Sequence, residues 1–266
     1  MEKTIHLISG MPQAGGSLLS SILSQNPRFE AAMPGGVLDA IYILTKAWPQ
    51  IPEFQTAPNE AGKIAVMHAM LHGYFASSHR PVAFDRSRSW VAHLETAELL
   101  LQRKVKVLVP VRDIREILAS FELLWRQNGA VHQSRLDQKH YIEFQSVEGR
   151  CSVWLRPENA VGLAYSRIED AIQRGFRDRL HFVSYEALTS RPKETLAAIY
   201  SFLGEPAFSH DFGNLRQVVE EDDPIDDMPG AHRIRPQLVS PMNRAAEVLG
   251  AAADRYKGPY VWDLRK

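Results

Sequence analysis

Apolar residues recur along this chain with two alternating periods. The run 4–9 is a strand-like apolar stretch, and a glycine-rich turn joins it to the apolar-rich segment 18–23, read as a helix start. Asn26-Pro27 ends that segment, because proline cannot continue a hydrogen-bond ladder. Pro34-Gly35-Gly36 marks a loop, after which Leu38, Ile41, Ile43, Leu44 and Trp48 are spaced as on one side of a helix. Pro49, Pro52 and Pro58 interrupt the next stretch. Residues 59–76 return to helical spacing through Ile64, Met67, Met70, Leu71, Tyr74 and Phe75. A short buried strand follows at 82–84, ending at Asp85, and a helix over 89–102 carries Trp90, Leu94, Ala97 and Leu101. Residues 105–111 are nearly all apolar, as in a central parallel strand covered on both faces.

The next helix has Ile114, Ile117, Leu118, Phe121, Leu124 and Trp125 on its buried side. The stretch 128–156 is mixed and polar, where acceptor-binding insertions or a mobile lid are expected. Further elements are a helix over 159–176, a strand at 181–184, a helix over 191–203 closed by Gly204, and a last helix over 243–256 before the aromatic tail Tyr260-Val261-Trp262. This alternation predicts an α/β fold, a parallel sheet flanked by helices on both faces, formed as a single domain over 1–266. Ligands of such folds bind at the carboxyl ends of the strands, so the loops after residues 9, 85 and 111 are expected to share one cleft.

Composition narrows the function classes. The 266 residues are 45% hydrophobic and 23% charged, with 31 basic residues against 31 acidic ones, so no overall nucleic-acid or membrane footprint is present. No uncharged run approaches the ~20 residues of a membrane span. The first strand begins near Thr4, which leaves no room for a secretory leader, and a cytoplasmic protein is expected. Cys151 is the sole cysteine and reads as a packed filler. The acidic run Glu220-Glu221-Asp222-Asp223 with Asp226-Asp227 reads as a solvated loop, and the basic His232-Arg233-Ile234-Arg235 follows it. His68 and His72 share a helical face, but no third ligand is placed by sequence, and no metal is expected.

Chemistry concentrates at Gly10-Met11-Pro12-Gln13-Ala14-Gly15-Gly16-Ser17. Glycines between a strand and a helix let successive N–H groups face inward, and the helix N-terminus adds unpaired donors and a positive dipole end. A phosphate or sulfate fits such a nest. The spacing is that of a Walker loop, with Gly16 where a nucleoside-triphosphate loop has lysine.

Three stretches, taken in order, resemble the sulfotransferases that use 3′-phosphoadenosine-5′-phosphosulfate (PAPS). The glycine-rich loop is similar to the family's 5′-phosphosulfate loop, commonly written G-x-P-[RK]-S-G-[ST]-[ST]. Val109-Pro110-Val111-Arg112-Asp113 through Ser120-Phe121 is similar to its 3′-phosphate motif, an arginine after a strand with a serine eight residues on. Tyr185-Glu186-Ala187-Leu188 with Pro192 and Phe202-Leu203-Gly204 is similar to its Y-E-D-L segment and following helix. Phe84-Asp85-Arg86-Ser87-Arg88-Ser89-Trp90 also resembles a stretch in bacterial members.

The resemblance implies a P-loop-type sulfotransferase fold and transfer of a sulfuryl group from PAPS to a hydroxyl or amine acceptor, with release of 3′,5′-ADP. By the same resemblance Gln13, Ala14, Gly15, Gly16 and Ser17 would cradle the phosphosulfate, Arg112 and Ser120 would hold the 3′-phosphate, and Tyr185 would lie near the adenine. Arg233 or Arg235 would add a late basic contact. The chain departs from the family at Gln13, where arginine or lysine is usual, and at Ala14, where serine is usual. Arg86 or Arg88 is expected to replace the missing cation from the neighbouring strand end. Asp85 is the first candidate for general base, against an ion-pairing role, with His93, Glu30 and Glu143 as further candidates. Two other readings stand beside this one: a non-catalytic PAPS or 3′,5′-ADP binder, and a P-loop nucleotide kinase using Asp85 for magnesium.

Overall fold

The computed structural model describes residues 3–33, 35–129, 134–218, 233–240 and 243–264. Its first half comprises β1 (Thr4–Ile8), α1 (Gly16–Leu23), β2 (Phe29–Glu30), α2 (Val37–Ala47), α3 (Pro52–Thr56), α4 (Glu60–Tyr74), β3 (Val82–Arg86), α5 (Leu94–Leu101) and β4 (Val107–Val111). The second half adds α6 (Ile114–Asn128), α7 (Arg135–Lys139), α8 (Val147–Trp154), α9 (Ala160–Gln173), β5 (Leu180–Ser184), α10 (Tyr185–Ser190), α11 (Pro192–Leu203) and α12 (Ala245–Leu249). The strands form one parallel sheet in the order β2-β3-β1-β4-β5. β1 is therefore flanked by β3 and β4, which sets the loops after all three strands side by side at one edge.

Alternate residues of each strand point to opposite faces. Leu7, Ala83, Val107 and Val109 join the larger apolar layer with α2, α4, α5, α6, α8, α9 and α12. Ile8, Phe84, Leu108 and Val183 join the smaller one with α1 and α11. Both faces are thus covered by helices, which explains the continuous apolar run of β4. Gly204 closes α11 in the left-handed conformation, at φ 74°.

The differences from the sequence reading have local causes. β2 is only two residues long and pairs with β3, too short to show a period. The helix expected over 89–102 opens as a 3₁₀ turn at Trp90–Ala92, and α5 begins at Leu94. Trp90 is pinned there, its indole N–H donating to Asp85 at 2.5 Å. The last helix is cut short at Gly250, whose φ of 59° disrupts it, and a 3₁₀ segment, Gly250–Tyr256, follows. The aromatic tail packs on the chain's own core, with the Tyr260 hydroxyl donating to Asp113 at 2.7 Å. The acidic run at 220–227 lies outside the described residues.

The largest difference is in the polar middle. Residues 130–133 lie outside the described set, but α8 is a core helix, with Cys151, Val153 and Trp154 buried. Its polarity misleads because it contributes one half of a buried ion cluster. Glu122 on α6 is fully buried and accepts from Arg150 through both carboxylate oxygens, at 2.7 Å each, and from Arg126 at 2.7 Å. The Arg150 guanidinium also lies 3.9 Å from the Trp125 ring centre and donates to the Phe144 carbonyl at 2.5 Å.

Removing one member of a buried pair leaves the other charge uncompensated. We expect Glu122→Gln to lower unfolding free energy by about 3–5 kcal/mol, read from urea midpoints; a loss below 1 kcal/mol would show that Arg150 finds water or another acceptor.

Candidate functional site

The glycine-rich loop is positioned by a backbone contact with β4. Met11 donates its N–H to the Pro110 carbonyl at 2.9 Å, and a Cβ at Gly10 would lie 2.2 Å from that same oxygen. Only glycine permits that approach. Gln13 at φ 54° and Gly15 at φ 85° are both left-handed, which folds the loop back before α1. Gly15 is the N-cap and offers no side chain, so the leading N–H groups of α1 face the loop. Together with the helix dipole they favour a bound anion. Ala14 is buried beneath the turn.

Tyr185, Arg112 and Ser120 converge on this loop. A Cβ at Gly15 would lie 2.7 Å from the Tyr185 ring, and the Arg112 guanidinium lies 4.5 Å from the centre of that ring. Arg112 donates to the Gln13 carbonyl at 3.2 Å, while Ser120 donates to the Gln13 side-chain oxygen at 3.1 Å. The side chain of Gln13 is thereby turned toward α6. Glu116 lies 3.9 Å from the other end of Arg112, and the buried Nε of Arg112 has no hydrogen-bond partner among the described residues.

The end of β3 supplies the opposite wall. Arg86 donates to the Ser17 hydroxyl at 2.9 Å, and a Cβ at Gly16 would lie 3.9 Å from the Arg86 guanidinium. Asp85 is 1% exposed; Trp90 holds one carboxylate oxygen, and the other has no hydrogen-bond partner among the described residues. Burial first, and the Asp39 charge after it, raise this carboxyl to about 6 against the opposing effects of Trp90 and Arg86. His93 is half-buried at the start of α5, its ring centre 6.3 Å from that of Tyr42.

Other residues singled out by sequence lie apart. Arg233 and Arg235 are exposed and make no hydrogen bond or ion pair with the described residues. Their segment is tied to 212–217, through Leu215 to Pro236 at 2.7 Å and Leu238 to Phe212 at 3.0 Å. That strip runs along α1, where Ser21 donates to the Arg216 carbonyl at 2.7 Å. Glu143 is ion-paired with Arg156 at 2.9 Å, and Glu30 caps the Ala32 N–H at 3.3 Å. His68 contacts the Leu100 carbonyl at 2.7 Å.

One feature was not legible in sequence. A cleft of about 500 Å³ opens beyond the ends of β4 and β5, lined in part by Arg112, Glu116, Ser184, Glu186, Ala245 and Tyr260. The α12 start is fixed there because Glu116 accepts the backbone N–H groups of Arg244 and Ala245 at 3.1 and 3.0 Å. Nothing in the spacing of Glu116 announces a helix-capping partner more than a hundred residues away.

A parallel sheet, a glycine-rich turn leading into a helix N-terminus without a side-chain cap, and arginines brought to it from two neighbouring strands define a P-loop-type fold. Residues 3–221 match the sulfotransferase domain family, and the chain belongs to that family. Among solved structures, the sulfotransferase domain of the Synechococcus PCC 7002 olefin synthase is 16% identical over 97% of this chain and 98% of its own, with a TM-score of 0.51. The sulfotransferase domain from the curacin biosynthetic pathway is 13% identical over 98% and 93%, with a TM-score of 0.47. A sulfotransferase from Mycobacterium avium is 12% identical over 96% and 76%, also at 0.47. Comparison with curated protein sequences gives no significant match. Family membership implies sulfuryl transfer.

The raised carboxyl of Asp85 has a stability consequence. A native pKa of about 6 exceeds the unfolded value, so the native state binds the proton more tightly and loses stability as pH rises from about 4 to 7. We expect Asp85→Asn to remove this part of the pH dependence. The variant should gain on wild type by roughly 3 kcal/mol between pH 4 and pH 7, measured by denaturant unfolding at each pH. Parallel curves for the two proteins would show that Asp85 titrates normally.

Proposed function

We propose that this protein is a PAPS-dependent sulfotransferase that acts on a hydroxyl or amine acceptor and releases 3′,5′-ADP. The observation that carries the reading is the convergence of Arg112 and Ser120 on Gln13, with the Arg112 Nε left over as a buried unpaired donor. A buried donor without an acceptor is costly, and a phosphate oxygen would satisfy it. PAPS, when bound, would supply an activated sulfuryl group and a nucleotide leaving group.

The residues of this chain would then divide the work. N–H groups from Gln13 to Ser17 hold the 5′-phosphosulfate in the uncapped turn. Arg112 and Ser120 take the 3′-phosphate, and Tyr185, held between Gly15 and Arg112, packs near the adenine. Arg86 supplies the cation that Gln13 cannot, since its guanidinium already sits on the Ser17 hydroxyl at 2.9 Å. Charge that develops on the leaving oxygen meets this group without reorganisation. Arg233 or Arg235, exposed on the strip beside α1, would add a late basic contact to the 3′-phosphate. No metal is required for the neutralisation.

Asp85 is the proposed proton acceptor, through the carboxylate oxygen that Trp90 leaves unpaired. Its pKa of about 6 suits a base working near neutral pH. Because the carboxylate is 1% exposed, an acceptor hydroxyl reaches it only by displacing its cover.

Calorimetric titration with 3′,5′-ADP tests the donor site directly, with ATP plus magnesium as comparison. Tight binding of the first alone is expected, and Arg112→Ala should weaken it by about tenfold to a hundredfold, the size of a charge-assisted contact. Unchanged affinity in the folded variant would refute the 3′-phosphate assignment. Preference for ATP would favour a kinase instead. Arg86→Met should reduce turnover by roughly 10²–10³ while 3′,5′-ADP affinity stays within about threefold. Binding without turnover in the wild type would leave a nucleotide-binding protein.

A further inference from the structure

The C-terminal segment holds α6 at three points. The Tyr260 hydroxyl donates to Asp113, the residue that caps α6 by accepting the Arg115 N–H at 2.8 Å. Glu116, in the first turn, accepts the backbone N–H groups of Arg244 and Ala245, one on each carboxylate oxygen. Farther along the helix, Arg126 donates to the Val248 carbonyl at 3.1 Å. Arg112 stands just ahead of this first turn, so what fixes the turn bears on Arg112.

Glu116 is where the two meet. It is 7% exposed, follows Arg112 by four residues, and lies 3.9 Å from one terminal nitrogen of that guanidinium. The other terminal nitrogen donates to the Gln13 carbonyl, the guanidinium carbon lies 4.5 Å from the centre of the Tyr185 ring, and the buried Nε has no hydrogen-bond partner among the described residues. At 3.9 Å the Glu116 carboxylate is beyond hydrogen-bond length and acts on Arg112 by charge. Both of its oxygens are already occupied by N–H groups at the start of α12. A carboxylate with free oxygens at that place would close onto Arg112 as a full ion pair and compete with a phosphate for it. Occupied, it orients the guanidinium without capturing it. A cation oriented in advance gives up less side-chain freedom when its ligand arrives.

We propose that Glu116 is a positioning residue for the donor site: it orients Arg112 toward the 3′-phosphate and couples occupancy of that site to the docking of the C-terminal segment at Arg244 and Ala245. This role presupposes the 3′-phosphate reading of Arg112. When a phosphate engages Arg112, the positive charge facing Glu116 is partly neutralised, and the carboxylate holds the two N–H groups of α12 more closely. Linkage makes the effect reciprocal, so a docked segment favours the nucleotide as the nucleotide favours docking.

Two nucleotides that differ only in the 3′-phosphate, 3′,5′-ADP and 5′-AMP, separate this role from general stability. Glu116→Gln keeps the shape of the side chain and removes its charge. In calorimetric titrations this variant should bind 3′,5′-ADP on the order of tenfold more weakly than wild type, and 5′-AMP within about twofold of it. In the Arg112→Ala background the same change should have no further effect on 3′,5′-ADP, because the residue through which Glu116 acts is gone. Unchanged 3′,5′-ADP affinity, equal losses for both nucleotides, or an undiminished loss in the Arg112→Ala background would overturn the role. So would tighter binding of 3′,5′-ADP by Glu116→Gln, which would mean that Glu116 acts by repelling the phosphate. Amide hydrogen exchange in the wild type reads the coupling without any variant: saturating 3′,5′-ADP should slow exchange at Arg244 and Ala245, and saturating 5′-AMP should leave both at their free rates. Exchange unchanged by 3′,5′-ADP, or slowed equally by both nucleotides, would overturn the coupling. Absence of 3′,5′-ADP binding by the wild type would instead refute the donor reading itself.

Discussion

The backbone of Gly10 lies against the carbonyl of Pro110, and the rest of the site depends on that approach. It lets the chain leaving β1 pass over the end of β4 without a side chain to hold it off. The turn that follows then lies beside the residue after β4, which is Arg112, and beside Ser120 two turns into α6. Pro110 itself has no N–H to donate, and at this point β1 has already become loop, so the ladder loses nothing by it. Sheet order completes the arrangement, because β3 on the other side of β1 delivers Arg86 to Ser17.

Buried charge is handled in three different ways in this molecule. Glu122 and Arg150 neutralise each other inside the larger core layer, where their removal from water is offset by close pairing. Asp85 is left with one oxygen unpaired, and its affinity for a proton rises in response. Arg112 keeps one donor unpaired beside a turn already suited to anions. The first is complete without a ligand. The other two sit at the carboxyl edge of the sheet, where a fold of this kind places its chemistry.

Much of the architecture was legible because β4 and its neighbours are read by simple periods. The unbroken apolar run of β4 required cover on both faces, and Gly204 marked the end of α11. The loop, Arg112, Ser120 and Tyr185 could be expected to meet because each follows a strand of one parallel sheet. The polar middle was misjudged because Arg150 is charged but buried, and a one-dimensional pattern cannot show that Glu122 meets it. Glu116 and Tyr260 escaped for a related reason, since their partners are set by tertiary packing.

The parallel order of the sheet also bears on synthesis. β1 lies at the centre of the sheet, yet it precedes both of its neighbours, pairing Thr4 with Val82 and Leu7 with Val107. At the ~5–20 residues per second of translation, several seconds separate its emergence from that of β3. Through that interval an apolar strand has no partner within the nascent chain. The element that anchors the finished site is therefore the one most dependent on shelter at the ribosome.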